Sequence, residues 1–340
     1  MVTMKTLKTL LILSLLFAFL ISCPQVWADK GGFSPSGYEV FESGQKAIIA
    51  WNGTSEMLIL SSDVKSSQES KVIEFLPLPS NPSVSKGNTD SFNVIVDLVG
   101  SYLYYTGFPS RVATMSQGYG VPKEGGVEVT FHEKIGVHDL TVVRAEDAEE
   151  LISWIENFLS DIDIEYEDLP SDLEDSFSGY LEEGINFFAV DVIDANSTTK
   201  SVEPLVYEFE SSKLYYPLRI STLFSGETDI SLFTITSKEL NEESILEAGF
   251  QKIAQFNVRL ATITRIDPNM TRLFSDKPYL YFFKYEGSLK NLKSDIAAGF
   301  SPILIAANVA VAIFSLGTTL TLILLLFPRK RKEGILLGNR

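Results

Sequence analysis

A long uncharged apolar run near the C-terminus, from Ser301 to Phe327, limits what this chain can fold into more than any other feature. At about 1.5 Å of rise per residue, a helix of this length crosses the roughly 30 Å hydrocarbon core of a bilayer with some tilt. Four consecutive bases, Arg329 to Lys332, follow it, and such clusters stay on the cytoplasmic side. We therefore predict a transmembrane helix over 299–327, a cytoplasmic basic tail over 328–340, and a single-pass protein of the cell membrane with its N-terminal domain outside.

The first 28 residues have the order of a secretory signal peptide. Two lysines precede an apolar run that ends near Ile21, and Val26 and Ala28 fit the −3 and −1 positions of a cleavage site. An uncleaved anchor is one alternative, although the run is shorter than the roughly 20 residues of a spanning helix. Lipidation is another, because the four residues that end at Cys23 resemble a bacterial lipobox. If cleavage follows Ala28, the mature chain has no cysteine, and its exported domain must be stable without disulfides.

The segment between these two ends, residues 29–298, is predicted to be the exported domain, as one unit or as two subdomains. The whole chain has 28 Lys and Arg against 44 Asp and Glu, a formal net charge of −16, and several of the bases lie in the signal and the tail. This balance argues against nucleic acid as a partner, because phosphate binding needs clustered Lys and Arg. It also argues against a basic patch that binds the membrane surface.

Strand-like patterns follow one another along this domain. Asn52-Gly53 between two apolar runs predicts a β-hairpin with a type I′ turn, which needs positive φ at both residues. Asp147 with Glu150 forms a capping-box pattern, and the apolar positions that follow fall on one helical face. Residues 92–105 fit either a helix or a strand. Further strands are predicted at 71–79, 127–132, 137–144, 187–193, 205–209, 216–221, 230–236 and 279–285, and a shorter helix at 242–254.

These elements predict an α+β fold, in which a mainly antiparallel sheet packs against one clear amphipathic helix, in addition to the C-terminal transmembrane helix. No fixed-period repeat is visible in the sequence, which argues against a solenoid or a propeller.

The order of several short segments along the chain is a further signal. They are Gly31-Gly32-Phe33, Gln45 to Gly53, Phe75 to Ser80, Ile135 to Leu140, Ala145 to Ala148, Tyr180 to Ala189 and Tyr216-Pro217-Leu218-Arg219. Together they resemble a family of exported bacterial and archaeal proteins catalogued as domain of unknown function 2330. The resemblance covers most of residues 30–285 and implies export and a single fold, with no activity, cofactor or site to carry over. Many members carry cysteines near the mature N-terminus, and this chain does not.

His132 and His138 are the two histidines of the chain, and Glu133 follows the first. Their spacing of six does not fit the i, i+4 pair of a zincin helix, and Gly136 between them indicates a strand, a turn and a second strand. Across such a hairpin, the two imidazoles and the carboxylate could hold zinc. The alternative is that both are surface or half-buried strand histidines. No catalytic or cofactor-binding residues are predicted.

An acidic stretch at residues 161–183 holds ten carboxylates and no base. Asp161, Asp163 and Glu165 match the first ligand positions of a calcium loop, but Tyr166 stands where the sharp turn needs glycine. A looser calcium site is therefore one interpretation, and a solvated acidic loop is the other.

Three Asn-x-Ser/Thr sequons, at Asn52, Asn196 and Asn269, lie in the segment that is predicted to be outside the membrane. Turns expose the side chain that a transferase must capture. In a host with the glycosylation machinery, we therefore expect modification at Asn196 first and at Asn269 last. The alternative is the chance occurrence of a short tripeptide.

The function predicted from these features is a single-pass, membrane-anchored surface protein of unidentified activity. Its exterior domain would bind a partner in the envelope or outside the cell without catalysis. The alternative is a membrane-anchored, metal-assisted hydrolase of the envelope that uses His132, Glu133 and His138. Calcium and zinc are the cofactors that these candidate sites would take, and otherwise none is expected.

Overall fold

Strand pairing divides the domain into two large sheets and one short ribbon. The computed structural model describes residues 31–106, 127–166, 168–198, 200–223 and 226–302. Its strands are β1 (Gly31–Phe33), β2 (Val40–Trp51), β3 (Ser55–Ser66), β4 (Ser70–Leu78), β5 (Ser83–Lys86), β6 (Glu128–Ile135), β7 (His138–Arg144), β8 (Phe187–Ala195), β9 (Lys200–Ser201), β10 (Leu205–Glu210), β11 (Leu214–Tyr216), β12 (Glu227–Thr236), β13 (Gln251–Asn257), β14 (Tyr279–Ser288) and β15 (Ile296–Ala298). Its helices are α1 (Thr89–Thr106), α2 (Ala148–Asp161), α3 (Leu173–Glu182), α4 (Glu243–Glu247) and α5 (Leu260–Ile266), with 3-10 turns at Arg219–Leu223, Asn269–Leu273 and Leu289–Asn291.

The first sheet has the strand order β1-β4-β8-β7-β6, and all of its neighbouring strands run antiparallel. The second has the order β13-β14-β12-β2-β3-β10-β5, with β9 beside β3. Its one parallel pair among the described strands is β12 with β2. The ribbon pairs β11 with β15. The prediction of a sheet-rich, mainly antiparallel α+β fold is confirmed.

The two large sheets pack face to face, and helices cover their outer faces. Side chains of the first sheet, such as Leu76 and Leu140, meet side chains of the second, such as Ile49, Leu232 and Tyr281, in a buried central core. Helices α2 and α3 cover the outer face of the first sheet, and α1 and α5 cover that of the second. Because both faces of each sheet are covered, the central strands are apolar at successive positions instead of alternating.

Helix α2 begins where the sequence predicts it. Asp147 has an extended backbone, and its carboxylate accepts a hydrogen bond from the N–H of Glu150 at 3.0 Å. This bond satisfies one of the donors that a helix start leaves without an intrahelical partner. The apolar face buries Leu151, Trp154 and Phe158 against the first sheet. The predicted cap and the predicted amphipathic helix are confirmed.

Two other helices were left open or missed by the sequence prediction. Residues 92–105, which fit a helix or a strand by sequence, lie in α1 and bury Ile95 and Val99 against the second sheet. Helix α3 occupies part of the acidic stretch. Its Leu173, Phe177 and Tyr180 lie one helical turn apart and are fully buried, because a helix places such positions on one face.

The Asn52-Gly53 hairpin is confirmed, but its turn has another geometry. Strands β2 and β3 pair on either side of it, with Trp51 opposite Glu56. Gly53 has a φ of 107°, whereas Asn52 is not among the described residues with positive φ, so the turn is not type I′. The Asn52 side chain instead accepts hydrogen bonds from the backbone N–H groups of Thr54 and Ser55, at 3.0 and 2.9 Å. Such a side-chain-to-backbone turn is common for asparagine.

Two predicted elements end earlier than expected. The strand predicted at 216–221 ends at Tyr216, because Pro217 cannot donate to a strand ladder, and the chain turns into the 3-10 segment at Arg219–Leu223. The helix predicted at 242–254 ends at Glu247. Gly249, with a φ of 94°, follows it as a helix-terminating glycine, and the chain continues as β13.

Several predictions fall outside the described residues. They are the signal peptide at 1–28 with Cys23, most of the transmembrane segment at 299–327, and the tail at 328–340. In the part of the chain that the structure describes, no helix is long and apolar enough to span a bilayer. The anchor and its orientation stay predictions.

Candidate functional site

A cleft of about 470 Å³ opens beside the β11–β15 ribbon. Tyr215 and Ala297, paired across the ribbon, contribute to its lining. Pro79, after β4, and Ile185, after α3, add apolar surface. This volume is in the range of small-molecule binding sites. The polar residues of the lining are Glu183, Ser211, Ser212, Lys213, Arg219, Lys293, Ser294 and Asp295.

Asp295, the residue before β15, is the centre of the hydrogen bonding in the cleft. Its Oδ1 accepts hydrogen bonds from the hydroxyl of Tyr180 at 3.1 Å and from the backbone N–H groups of Leu218 and Arg219 at 2.9 and 2.7 Å. Its Oδ2 accepts a hydrogen bond from the hydroxyl of Tyr215 at 3.0 Å. This carboxylate thereby joins α3, β11 and the 3-10 turn at 219–223 to the start of β15.

Burial governs the protonation of this cluster. It raises the pKa of the Asp295 carboxyl, and the hydrogen bonds from the Arg219 and Leu218 backbone offset only part of that rise. Burial also raises the pKa of the Tyr180 and Tyr215 phenols well above the usual value, and the nearby negative charge of Asp295 adds to the rise. Both phenols therefore stay neutral hydrogen-bond donors at physiological pH.

A second buried carboxylate, Glu56 of β3, holds the ribbon from the core side. Its side chain is 1% exposed, and Oε2 accepts a hydrogen bond from the backbone N–H of Tyr215 at 2.8 Å. Burial raises the pKa of Glu56 well above its usual value, and this hydrogen bond lowers it only in part. Beside it, Nε1 of Trp51 donates to the backbone carbonyl of Ser211 at 2.9 Å. The β2–β3 hairpin thus positions the loop between β10 and β11.

Arg219 lies between an aromatic ring and a carboxylate. Its guanidinium carbon is 4.3 Å from the centroid of the Tyr180 ring, a typical cation–π distance. Nη1 and Nη2 donate to the two oxygens of Glu183 at 2.5 and 3.1 Å, which is the two-point geometry of guanidinium–carboxylate pairs. Burial by itself lowers the pKa of Arg219, but Glu183, Tyr180 and Asp295 outweigh it and raise that pKa above its usual value.

Two exposed lysines, Lys213 and Lys293, complete the polar lining. Lys213 lies in the loop before β11, and Lys293 follows the 3-10 turn at 289–291. Neither forms an ion pair with another residue of the described ranges. With Arg219, they give the lining three cations against the two carboxyl groups of Glu183 and Asp295, which is an excess of one positive charge when both acids are ionised.

The structure does not bring the predicted zinc ligands together. In the β6–β7 hairpin, His132 is paired with Thr141, and Ile135 is paired with His138. Paired residues share a face and successive residues alternate, so the two histidines lie on opposite faces of the sheet. Glu133 is exposed. Within the described residues, no group of three or more His, Cys, Asp or Glu side chains is arranged to hold a metal ion.

His138 instead takes part in a buried contact between the two large sheets. It is 1% exposed, and its Nδ1 lies 2.6 Å from Oδ2 of Asp191. Its Nε2 lies 2.8 Å from the backbone carbonyl of Glu203, and must donate because a carbonyl only accepts. This contact links β7 and β8 of the first sheet to the segment before β10 in the second. We assign it a structural role.

The three candidate calcium ligands are exposed and are not gathered into a site. Asp161 ends α2, Asp163 lies in the turn after it with a φ of 54°, and Glu165 follows that turn. Between them, Ile162 and Ile164 pack against the core under α2 and α3. The three acids on either side of these two residues are exposed to solvent. The solvated interpretation fits this arrangement.

The three sequons differ in exposure. Asn52 is half-buried, and its side chain is engaged in the hairpin turn. Asn196 is half-buried, and its Oδ1 accepts a hydrogen bond from the N–H of Thr198 at 2.9 Å. Asn269 is exposed at the start of a 3-10 turn. The exposure of Asn269 argues against placing it last, and the use of any sequon stays a prediction.

Comparison with known proteins places the chain in a family. A family model described as "Uncharacterized protein conserved in bacteria (DUF2330)" matches residues 27–286. The chain belongs to this family. The resemblance indicated by the order of its short segments is therefore confirmed. The DUF2330 match includes Glu183, Tyr215 and Arg219 of the cleft and ends before Lys293 and Asp295.

No curated protein matches the chain. Among solved structures, it is similar to the crystal structure of baculovirus P35, with 12% sequence identity, 80% of this chain and 99% of that chain covered, and a TM-score of 0.45. A likeness at this TM-score supports no conclusion about fold or function.

Sequence reasoning did not identify Asp295, Arg219 or Glu183 as site residues. Two of the segments that resemble the DUF2330 family contain part of the site. The segment from Tyr180 to Ala189 includes Glu183, and Tyr216-Pro217-Leu218-Arg219 includes the two backbone donors to Asp295. Asp295 itself stands in a short polar stretch that has no motif.

Proposed function

We propose that this chain is a single-pass, membrane-anchored surface protein whose exported domain binds a small anionic ligand in the cleft beside Asp295 and catalyses no reaction. The C-terminal transmembrane helix at 299–327 would be its anchor, and the cytoplasmic tail would fix its orientation. The membrane is then one partner, and the ligand comes from the envelope or from outside the cell.

The positive charge of the cleft is the observation that carries this proposal. The lining has three cations, Lys213, Lys293 and Arg219, and two acids, Glu183 and Asp295. Arg219 pairs with Glu183, whereas the two exposed lysines form no ion pair within the described residues. The chain as a whole has a net charge of −16. Positive charge collected in a cleft raises the local concentration of anions. The apolar surface of Pro79 and Ile185 suits the uncharged part of such a ligand.

Hydrogen bonding at the base of the cleft favours binding over proton transfer. A general base must reach the proton that it removes, but the oxygens of Asp295 already accept four hydrogen bonds from the chain. The hydroxyl of Tyr180 donates to Asp295 and accepts from the N–H of Ile220 at 2.9 Å. These groups therefore serve as a scaffold for the charged residues around them.

The alternative of a metal-assisted hydrolase has no support from the arrangement of its candidate residues. His132 and His138 face opposite sides of the first sheet, and His138 is buried between the sheets. We therefore propose the binding function and not the hydrolase.

Calorimetric titration of the purified full chain in detergent micelles, with succinate and with inorganic phosphate, tests the binding function. Lys213→Glu or Lys293→Glu should weaken binding about two-fold or more, because each reversal replaces an attraction of about 0.2–1 kcal/mol by a repulsion of similar size. Lys277→Glu is the matched control, because Lys277 is an exposed lysine outside the lining. Identical titrations for the wild type, the two cleft variants and the control would overturn the proposal.

A further inference from the structure

We propose that Glu183 is an intramolecular competitor of the ligand. Its carboxylate pairs with the guanidinium of Arg219 in the free protein, and an oxyanion of the ligand displaces it. This inference rests on the proposed binding function and extends it, since it assigns the ligand a group with two coplanar acceptor oxygens, such as a carboxylate or a phosphate. Glu183 then sets how tightly an anion must bind to enter the cleft.

The first observation is that Arg219 is held in place without Glu183. Its guanidinium lies over the Tyr180 ring at 4.3 Å, and its backbone N–H donates to Asp295 at 2.7 Å. Tyr180 is itself buried and fixed by hydrogen bonds to Asp295 and from Ile220. When Glu183 moves away, the guanidinium therefore keeps its position, and its two donors become available to another acceptor.

The second observation is that Glu183 is free to move away. Its side chain is 52% exposed, whereas that of Arg219 is 28% exposed. Glu183 caps the C-terminus of the ten-residue helix α3, the end at which the helix dipole disfavours negative charge. The helix therefore gains nothing from this carboxylate, and an exposed pair of this kind contributes little to stability.

The third observation concerns shape and charge. The two guanidinium donors already contact a carboxylate in the two-point geometry that carboxylates and phosphates share. Lys213 and Lys293 line the same cleft, so they can hold further negative charge on the ligand once the first group has replaced Glu183. A ligand with a single uncharged polar group would gain nothing from this arrangement.

Removal of the competitor should strengthen the binding of anions. In titrations of the full chain with succinate and with inorganic phosphate, Glu183→Gln should lower the Kd about two- to five-fold, because the anion no longer displaces an exposed ion pair. Glu146→Gln is the matched control. Glu146 forms the same kind of exposed pair with Arg144, at 2.5 Å, outside the cleft lining, and this change should leave the Kd unaltered.

A second variant assigns the effect to Arg219. Arg219→Lys keeps the positive charge but removes the two-point geometry, so the gain from Glu183→Gln should be lost in that background. A larger gain for succinate would identify a carboxylate ligand, and a larger gain for phosphate a phosphorylated one. Thermal midpoints of all variants, followed by tryptophan fluorescence, confirm that each chain is folded.

The outcomes separate this inference from the function on which it rests. If Lys213→Glu weakens binding while Glu183→Gln has the wild-type Kd, the competitor role of Glu183 is wrong and the binding function stands. If neither the wild type nor Glu183→Gln binds either anion, both proposals fail together. A gain from Glu183→Gln that persists unchanged with Arg219→Lys would also overturn the inference, because the displaced partner would then not be the guanidinium.

Discussion

Replacing Asp295 by alanine should destabilise the domain by about 3 kcal/mol or more, because it removes the acceptor of four hydrogen bonds at once. Two of the donors are the backbone N–H groups of Leu218, which is fully buried, and Arg219. A buried donor left without its acceptor costs about 1–3 kcal/mol. We use the lower part of this range for each backbone donor when we add their costs. We add little for the hydroxyls of Tyr180 and Tyr215, because water from the cleft can reach them.

Asparagine at the same position should cost less than about 1 kcal/mol. Its amide oxygen can accept the three hydrogen bonds that now end on Oδ1. Its NH2 group takes the place of Oδ2, and the Tyr215 hydroxyl can rotate to accept a hydrogen bond instead of donating one. Asparagine also removes the desolvated carboxylate whose pKa burial raises. The contrast between alanine and asparagine therefore isolates the acceptor geometry from the charge.

Thermal unfolding of the full chain, followed by tryptophan fluorescence, measures this contrast. Trp51 in the core between the sheets and Trp154 on the buried face of α2 are each 1% exposed, so the signal reports both layers. At about 2–4 °C per kcal/mol for a domain of this size, Asp295→Ala should lower the midpoint by about 6 °C or more. Asp194→Ala is the control, since Asp194 is 74% exposed and pairs with Lys71 at the surface, and it should shift the midpoint by about 2 °C or less. Equal midpoints for Asp295→Ala and Asp295→Asn would refute the reasoning.

Two other predictions concern the buried carboxylate and the end of the domain. Glu56→Gln should stabilise the domain at pH 7, and this advantage should disappear below about pH 4. Burial raises the folded-state pKa of Glu56 above the usual 4.5. The wild type therefore loses stability as the pH rises through that folded-state pKa, whereas glutamine does not titrate. Parallel unfolding curves at both pH values check this, and a difference that does not change with pH contradicts it. A chain that ends at Phe300 should be exported as a soluble folded domain, because it keeps β15 and the Phe300 ring, 4.3 Å from that of Trp51. A chain that ends at Ser294 should not fold, because it loses Asp295 and the buried Ile296, together worth about 5 kcal/mol. Secretion and fractionation assays compare the two chains, and retention of the longer one in the membrane would indicate an N-terminal anchor or a lipid on Cys23.

Local signals were sufficient for much of the fold. The hairpin at Asn52-Gly53 and the capped helix after Asp147 depend on side-chain-to-backbone hydrogen bonds within three residues, and such bonds can be read from sequence. Helix α3 was missed because its many acids suggested a solvated loop, although Leu173, Phe177 and Tyr180 have helical spacing. The parallel pairing of β12 with β2 was beyond local reasoning, because it joins strands more than 180 residues apart in the chain.

The cleft could not be predicted from the sequence for a related reason. Asp295 contacts Tyr180, Tyr215 and Arg219, from which it is separated by 115, 80 and 76 positions in the sequence. None of these residues stands in a motif with a fixed spacing, so the sequence gives no indication that they converge. The histidines had the opposite problem. Their short spacing suggested a common site, but an even separation across a hairpin turn places His132 and His138 on opposite faces.

The residues that build the cleft and those that would recognise a ligand differ in burial, and this difference determines which variants can test function. Asp295 joins four elements, so its loss changes stability and binding together, and activity data on such variants cannot be assigned to either. Lys213, Lys293 and Glu183 contact solvent at the edge of the same cleft, where substitutions usually change stability by less than about 0.5 kcal/mol. A change in anion affinity at these three positions, with an unchanged thermal midpoint, therefore reports recognition alone. The ribbon also ends directly before the predicted membrane segment, so β15 must be kept in any soluble form that is used to search for the natural ligand.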